Sequence, residues 1–357
     1  MGTLRVLVVD DSAYNRRTIS EMLDSFEGVE VVGKAVDGND ALRLIEEIEP
    51  DLVTLDLEMP RMDGFTFLRL LMATRPTPVI VISGYANKDN VFKALELGAV
   101  DFIAKPARIV TSDLRSIEDE LRRIVDLTKK IRRSSLGPKG IGSRSGAFRS
   151  PSAPPIERGA PDSLIVIGAS TGGPSALVEV FRSFPPHLPA CVLVAQHMPE
   201  KFTTTFAERL DRLGGIHVRE AAGTVELRAG MGLVCPGGRS LVVERDGDRL
   251  LAHVVSARPD DRYLPSVDRL FESAAEAMGE RVIGAVLTGM GDDGARGAEA
   301  LKKRGAKVLI ESPETAVIYG MPSAVERVHA FDEIRPLKEI GPRLIENAQL
   351  WMRERLH

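Results

Sequence analysis

Leu164-Ile165-Val166-Ile167-Gly168-Ala169-Ser170-Thr171-Gly172-Gly173-Pro174 opens as an unbroken apolar run and closes at a proline suited to the first turn of a helix. Between them lies a serine framed as G-x-S-x-G. A serine on such a strand-to-helix turn has its hydroxyl exposed at the carboxyl end of the strand, and small neighbours leave room for a substrate. The stretch predicts a parallel α/β sheet, and it makes Ser170 a candidate nucleophile.

The flanking sequence repeats the same grammar. Apolar runs at Leu164–Ile167, Cys191–Ala195, Val282–Leu287 and Lys307–Ile310 read as buried strands. Helices are expected after Pro174, Phe202, Pro265 and Gly294. A β-rich middle, Gly215–Ser256, carries turn signals at Pro236-Gly237-Gly238 and Asp246-Gly247-Asp248. Residues 161–357 are therefore expected to form a doubly wound α/β domain with a β-rich insertion.

Upstream, residues 1–125 alternate in the same way. Strands are expected at Leu4–Val9, Val29–Val32, Leu52–Leu55, Val79–Ile82 and Val100–Ile103. Ile19, Met22, Leu23 and Phe26 share one helical face, as do Leu42, Ile45 and Ile48. Five short apolar strands with helical crossovers predict a second doubly wound domain, with a five-stranded parallel sheet covered on both faces. Residues 126–160 separate the two halves. This stretch is rich in Gly, Ser, Pro and basic residues, with Glu157 the single acid between 129 and 158. It reads as a flexible tether.

The 357 residues, 43% hydrophobic and 27% charged, have the composition of an ordinary globular chain. A net charge of -4 gives no global basic footprint, so nucleic acid is not an expected partner. The N-terminus lacks a signal-peptide layout, and no apolar run reaches the roughly 20 residues of a membrane-spanning helix. Cys191 and Cys235, the two cysteines, lie in strand-like surroundings and read as reduced thiols. A cytoplasmic location without direct membrane insertion is expected.

Asp10 and Asp11 end the first strand of the upstream half, Asp56 the third, Ser83 the fourth, and Lys105 follows the fifth. Strand carboxyl ends share one edge of a doubly wound sheet, so these residues converge. Three carboxylates repel one another unless a cation joins them, and oxygen-only ligation suits Mg²⁺. One carboxylate can then accept a phosphoryl group whose charge Lys105 stabilises, while Ser83 hydrogen-bonds its oxygens.

The pieces Asp10-Asp11-Ser12, Asp56-Leu57-Glu58-Met59-Pro60 with Asp63-Gly64, Ser83-Gly84 and Lys105-Pro106 closely resemble the receiver domain of response regulators. That resemblance implies phosphorylation of Asp56. It implies Mg²⁺ held by Asp11, Asp56 and the backbone carbonyl of Glu58, with Asp10 assisting through water. It makes Phe102 the aromatic residue that moves on phosphorylation.

Ser170 needs a base, and histidine is the usual one. Of six histidines, His197 alone follows an apolar strand of the expected parallel sheet, Cys191–Ala195, at its carboxyl end. The base needs an acid to fix its tautomer. Leu287-Thr288-Gly289-Met290-Gly291-Asp292-Asp293-Gly294 ends another strand and offers two, which spacing alone does not separate. The order serine, histidine, acid differs from the α/β-hydrolase order, where histidine comes last.

At these residues the chain resembles the chemotaxis protein-glutamate methylesterase family, CheB, over nearly its whole length. The carrying motifs are Ile167-Gly168-Ala169-Ser170-Thr171-Gly172-Gly173-Pro174, Gln196-His197-Met198-Pro199, Pro236-Gly237-Gly238, Pro265-Ser266-Val267-Asp268, Leu287–Gly294 and Tyr319-Gly320-Met321-Pro322. The resemblance implies a Ser170, His197, Asp293 triad acting on glutamate methyl esters, and on glutamines, of chemoreceptor cytoplasmic helices. Backbone N–H groups at Thr171, Met290 or Gly291 would hold the oxyanion. No cofactor is implied for this step. The resemblance also implies a histidine kinase as phosphodonor and a receiver that covers the esterase cleft until Asp56 is phosphorylated. Ser323 stands where relatives often carry arginine. The competing expectation is a phosphorylation-dependent scaffold, or a response regulator with a non-enzymatic output domain.

Overall fold

The computed structural model describes residues 3–84, 88–106, 114–128, 159–213 and 215–354. The chain divides into two compact units, one on either side of the segment 129–158. That segment, which holds most of the expected tether, lies outside the described residues.

The first unit runs β1 (Leu4–Val9), α1 (Ala13–Asp24), β2 (Val29–Ala35), α2 (Gly38–Ile48), β3 (Leu52–Leu55), α3 (Gly64–Thr74), β4 (Val79–Gly84), α4 (Lys88–Glu96), β5 (Asp101–Lys105) and α5 (Glu118–Thr128). Its sheet is parallel throughout, in the order β2-β1-β3-β4-β5. Side chains in the loops that follow the strands start the helices. Ser12, Asp37 and Asp63 each accept an N–H from the first turn of α1, α2 and α3, satisfying donors that helix geometry leaves without partners. The central strands are buried on both faces, as their uninterrupted Val/Ile/Leu runs require.

The second unit runs β6 (Ser163–Ala169), α6 (Gly173–Phe181), β7 (Ala190–Gln196), α7 (Glu200–Asp211), β8 (His217–Glu220), β9 (Thr224–Glu226), β10 (Met231–Val234), β11 (Arg239–Asp246), β12 (Arg249–Ser256), α8 (Val267–Met278), β13 (Val282–Val286), α9 (Ala295–Lys303), β14 (Lys307–Glu311), α10 (Met321–Arg327), β15 (Glu333–Arg335) and α11 (Leu337–Glu354). Seven strands form a parallel sheet in the order β15-β14-β13-β6-β7-β10-β8. The chain leaves β6 toward β7 on one side and returns to β13 on the other. β6 therefore sits at a topological switch point, where the crossovers diverge and open a crevice.

The β-rich middle is divided between two sheets. β8 and β10 extend the main parallel sheet, and only β9, β11 and β12 form a separate antiparallel layer in the order β11-β12-β9. Burial explains the division. Every residue of β10 is buried, whereas β11 and β12 show one apolar face and one exposed face. Leu241, Val243, Leu250 and Ala252 on the inner face join the core formed with Leu270, Phe271 and Ala274 of α8. No helix among the described residues is long and apolar enough to cross a membrane.

Candidate active site

Ser170 stands one residue beyond β6, and His197 one residue beyond β7. The two strands pair in register through Ala169 and Gln196, so serine and histidine occupy facing positions at the sheet edge. The His197 N–H donates to the Ala169 carbonyl at 3.0 Å and extends that pairing. Ser170 is fixed through its backbone. Its N–H donates to the Thr288 carbonyl at 3.1 Å, and its carbonyl accepts the Gly173 N–H at 2.7 Å. The same carbonyl accepts from the Gln196 amide at 2.9 Å. Gly172 turns the chain from strand into α6 with φ of 77°, a left-handed conformation that costs a side-chain-bearing residue energy.

His197 Nε2 lies 2.8 Å from Asp293 Oδ2. Asp293 is 2% exposed and accepts N–H groups from Val267 at 2.8 Å and Asp268 at 2.9 Å, the first turn of α8. The Ser266 hydroxyl approaches it at 3.5 Å. A buried carboxylate supplied with this many donors is held in one orientation. With Nε2–H donating to Asp293, the lone pair of His197 is on Nδ1, the nitrogen left for a serine proton. Among the described residues the Ser170 hydroxyl makes no hydrogen bond. Catalytic hydrogen bonds are commonly long in a free enzyme and close with substrate.

The two acids that spacing did not separate point to different partners. Asp293 faces the histidine. Asp292 is exposed, accepts from the Tyr263 hydroxyl at 3.0 Å and lies 3.5 Å from Arg262. The Tyr263 ring is stacked on the His197 imidazole, with centroids 5.2 Å apart and planes 2° from parallel. Burial, more than Asp292 beside it, raises the Tyr263 hydroxyl above its ordinary range. Tyr263 had no part in the sequence-based site. Its one signal was position, next to the Pro265-Ser266-Val267-Asp268 motif.

Asp268 was missed in the same way. It answers Asp293 across the two helix starts, accepting the N–H groups of Gly294 at 2.9 Å and Gly297 at 2.8 Å at the start of α9. Arg296 lies 3.2 Å from its other oxygen. Burial first, and the neighbouring Asp293 charge after the opposing Gly297 donor, push its pKa up to about 6. An unfolded aspartate titrates near 3.9, so the contribution of Asp268 to stability is full below about pH 4 and is lost as pH rises through about 6. Asp268→Asn removes this titration. Melting midpoints measured between about pH 4 and pH 7 should then fall less with pH than those of the parent. Parallel curves for parent and variant would refute it.

The loop between β13 and α9 closes the other side of Ser170. The Thr171 carbonyl accepts from the Thr288 hydroxyl at 3.0 Å, and the Thr288 N–H donates to buried Glu311 at 2.8 Å. Among the described residues, neither the Met290 nor the Gly291 N–H donates to a protein acceptor. Ser323 sits half-buried in the first turn of α10.

In the first unit the acids converge at the carboxyl edge of its sheet. Carboxylate oxygens of Asp10, Asp11 and Asp56 lie within 4.8 Å of one another. Lys105 Nζ reaches Asp10 at 2.9 Å and Asp56 at 2.5 Å. Burial raises the Asp56 carboxyl above its usual range despite Lys105. Burial opposes the Lys105 charge, yet Asp56 and Asp10 outweigh it and raise the ammonium above its ordinary value. Ser83 is buried near the end of β4, in register with Ala104, and Phe102 is buried on β5. The Glu58 N–H donates to Asp56 at 3.4 Å, which turns the β3–α3 loop back over the acceptor. The all-carboxylate donor set fits a hard divalent cation.

Residues 165–344 match the family model described as CheB methylesterase, and residues 6–115 match that of the response regulator receiver domain. The protein-glutamate methylesterase/protein-glutamine glutaminase 3 of Geobacter sulfurreducens is 44% identical, over 98% of this chain and 99% of its own. The corresponding protein 1 of Myxococcus xanthus is 45% identical over 96% of each. The solved catalytic domain of Thermotoga maritima CheB methylesterase is 35% identical, with a TM-score of 0.50. It covers 52% of this chain and 97% of its own. A serine and a histidine at facing strand ends, an acid on the histidine and an acidic pocket in a separate receiver-like sheet thus occur together in a chain that belongs to the CheB methylesterase family.

Proposed function

We propose that the chain is a phosphorylation-regulated serine hydrolase that demethylates glutamate γ-methyl esters, and deamidates glutamines, on chemoreceptor cytoplasmic helices during chemotactic adaptation. The observation that carries this reading is the 2.8 Å contact of His197 Nε2 with Asp293, at the strand end facing Ser170. The names borne by the relatives support the substrate class. They do not favour a scaffold or a non-enzymatic output domain. In this reading residues 1–125 are the receiver, 126–160 the linker and 161–357 the esterase, working in the cytoplasm.

Ser170 Oγ attacks the ester carbonyl while His197 Nδ1 takes its proton, and Asp293 stabilises the imidazolium through Nε2–H. The N–H groups of Met290 and Gly291, which have no acceptor among the described residues, hold the oxyanion; each such donor is typically worth about 3 kcal/mol. The imidazolium passes its proton to the departing methoxide, giving methanol and an acyl-serine. Water then attacks the acyl carbon, His197 again takes the proton, and its return to Ser170 frees the glutamate.

In the receiver, Asp56 accepts a phosphoryl group from a histidine kinase. Lys105 pairs with the new oxygens, Ser83 donates to them, and Phe102 follows the rearrangement. Mg²⁺ would be held by Asp11, Asp56 and the Glu58 carbonyl, with Asp10 assisting through water, and would neutralise phosphoryl charge when bound. No cofactor enters the esterase step.

The test is methanol release from methylated receptor by the full chain, with and without acetyl phosphate and Mg²⁺. Release should rise with the phosphodonor, and the rise should be absent from Asp56→Asn. No methanol under either condition would overturn the substrate assignment. Equal release under both would overturn the regulatory half.

A further inference from the structure

We propose that Tyr263 is a positioning residue of the esterase site, whose ring, tied back by Asp292, sets the plane of the His197 imidazole. The inference rests on the reading of Ser170, His197 and Asp293 as the catalytic triad.

One hydrogen bond at Nε2 fixes a point on the imidazole but not its plane. Rotation about the bond from Cβ to the ring has a broad, shallow potential, so the ring can tilt about the Asp293 contact and carry Nδ1 away from Ser170. A second planar group lying flat against the imidazole removes that freedom, and Tyr263 lies within 2° of parallel. The stacked face also presents π-electron density to the imidazolium that forms when Nδ1 takes the serine proton.

Tyr263 is itself held from several sides. Its hydroxyl donates to Asp292 at 3.0 Å. Gly291, with φ of 91°, packs against that hydroxyl so closely that an added Cβ would lie 2.5 Å from it. The Arg262 guanidinium sits 5.6 Å from the ring centre. Behind the loop, buried Arg269 of α8 pairs with Asp261 at 2.7 Å and donates to the Ser256 carbonyl at 3.2 Å, anchoring the return from β12. Consecutive acids on one loop thus divide the task. Asp293 holds the edge of the imidazole, and Asp292, through Tyr263, holds its face.

The experiment compares Tyr263→Leu, Tyr263→Phe and Asp292→Asn in the full chain with acetyl phosphate, by methanol release and melting midpoint. Tyr263→Leu should lower kcat by about 10²-fold with KM unchanged, the loss typical of a displaced catalytic group. Tyr263→Phe keeps the ring and should restore most of kcat. Asp292→Asn leaves only a neutral acceptor for the hydroxyl and should lower kcat by less than about tenfold with KM unchanged; a larger loss than that of Tyr263→Leu would overturn the proposal. A Tyr263→Leu chain with parental kcat, or one whose loss falls wholly in KM, overturns the proposal. So does a loss that Tyr263→Phe shares in full, because the ring would then not be the active part. If Tyr263→Leu melts early, Tyr263→Phe and Tyr263→Trp decide: retained kcat in both supports the stack, and loss in both refutes it. Ser170→Ala run alongside separates the two levels. Activity surviving in that variant would remove the triad reading itself, whereas its loss beside an unaffected Tyr263→Leu removes only the present proposal.

Discussion

Ser170→Ala should lower the rate of methanol release by about 10⁶-fold while leaving the melting midpoint unchanged. The first half follows from chemistry: without Oγ there is no acyl-serine, and removing the nucleophile of a hydrolytic triad costs about as much as removing the triad. The second half follows from how this serine is held. Its contacts run through its backbone, to Thr288, Gly173 and Gln196, and alanine keeps all of them. The hydroxyl carries no structural hydrogen bond among the described residues, and the 3%-exposed site accepts a methyl group without a cavity of consequence. Receptor binding should survive for the same reason. Gas-chromatographic methanol assay and calorimetry check the two halves separately. Residual turnover within tenfold of the parent would remove Ser170 from the chemistry.

Asp293→Asn should cost about 10⁴-fold in turnover, the loss seen when a triad acid becomes its amide. The physical reason is a count of donors. Asp293 accepts from His197 Nε2, Val267 N–H and Asp268 N–H. Asparagine offers one oxygen and one NH₂ group. If the oxygen takes the Oδ1 place and serves the Asp268 N–H, the NH₂ faces Nε2 and the Val267 N–H and moves the imidazole proton to Nδ1, where it blocks the base. If the oxygen serves the histidine and Val267, the NH₂ faces the Asp268 N–H, and either way one buried backbone donor loses its acceptor and the fold is weakened. Fluorophosphonate labelling of Ser170 in the folded variant distinguishes the outcomes, since the first arrangement abolishes labelling and the second retains it. Near-parental turnover would mean that Asp293 only caps α8.

The sheet edges were the legible part of this molecule. Apolar runs of four to seven residues ending in serine, histidine or aspartate carried both the fold and the convergence of side chains, because a parallel strand delivers whatever follows it to one edge. Adjacency limited the rest. Asp292 and Asp293 share every property readable from spacing, and they part only because α8 starts beneath one of them. Tyr263 and Asp268 lie between β12 and β13, and their placement depends on where that return crosses the sheet. Gly215–Ser256 read as β-rich with turn signals, which did not say that β8 and β10 would join the parallel sheet. Both kinds of pairing accept the same residues, and burial decides between them.

Ser170 and His197 each follow a neighbouring strand, β6 and β7, by one residue, so their spacing is inherited from backbone hydrogen bonding, while Asp293, in the loop after β13, is fixed by the first amides of α8. Strands in a sheet lie about 4.8 Å apart whatever their sequence. The serine–histidine pair therefore has no hinge of its own. Its spacing does not drift with loop motion, and it is lost only when the centre of the sheet opens, the costliest local unfolding a domain of this kind undergoes. Sequence drift at the rim can reshape what enters the crevice while the register of the reacting groups stays fixed.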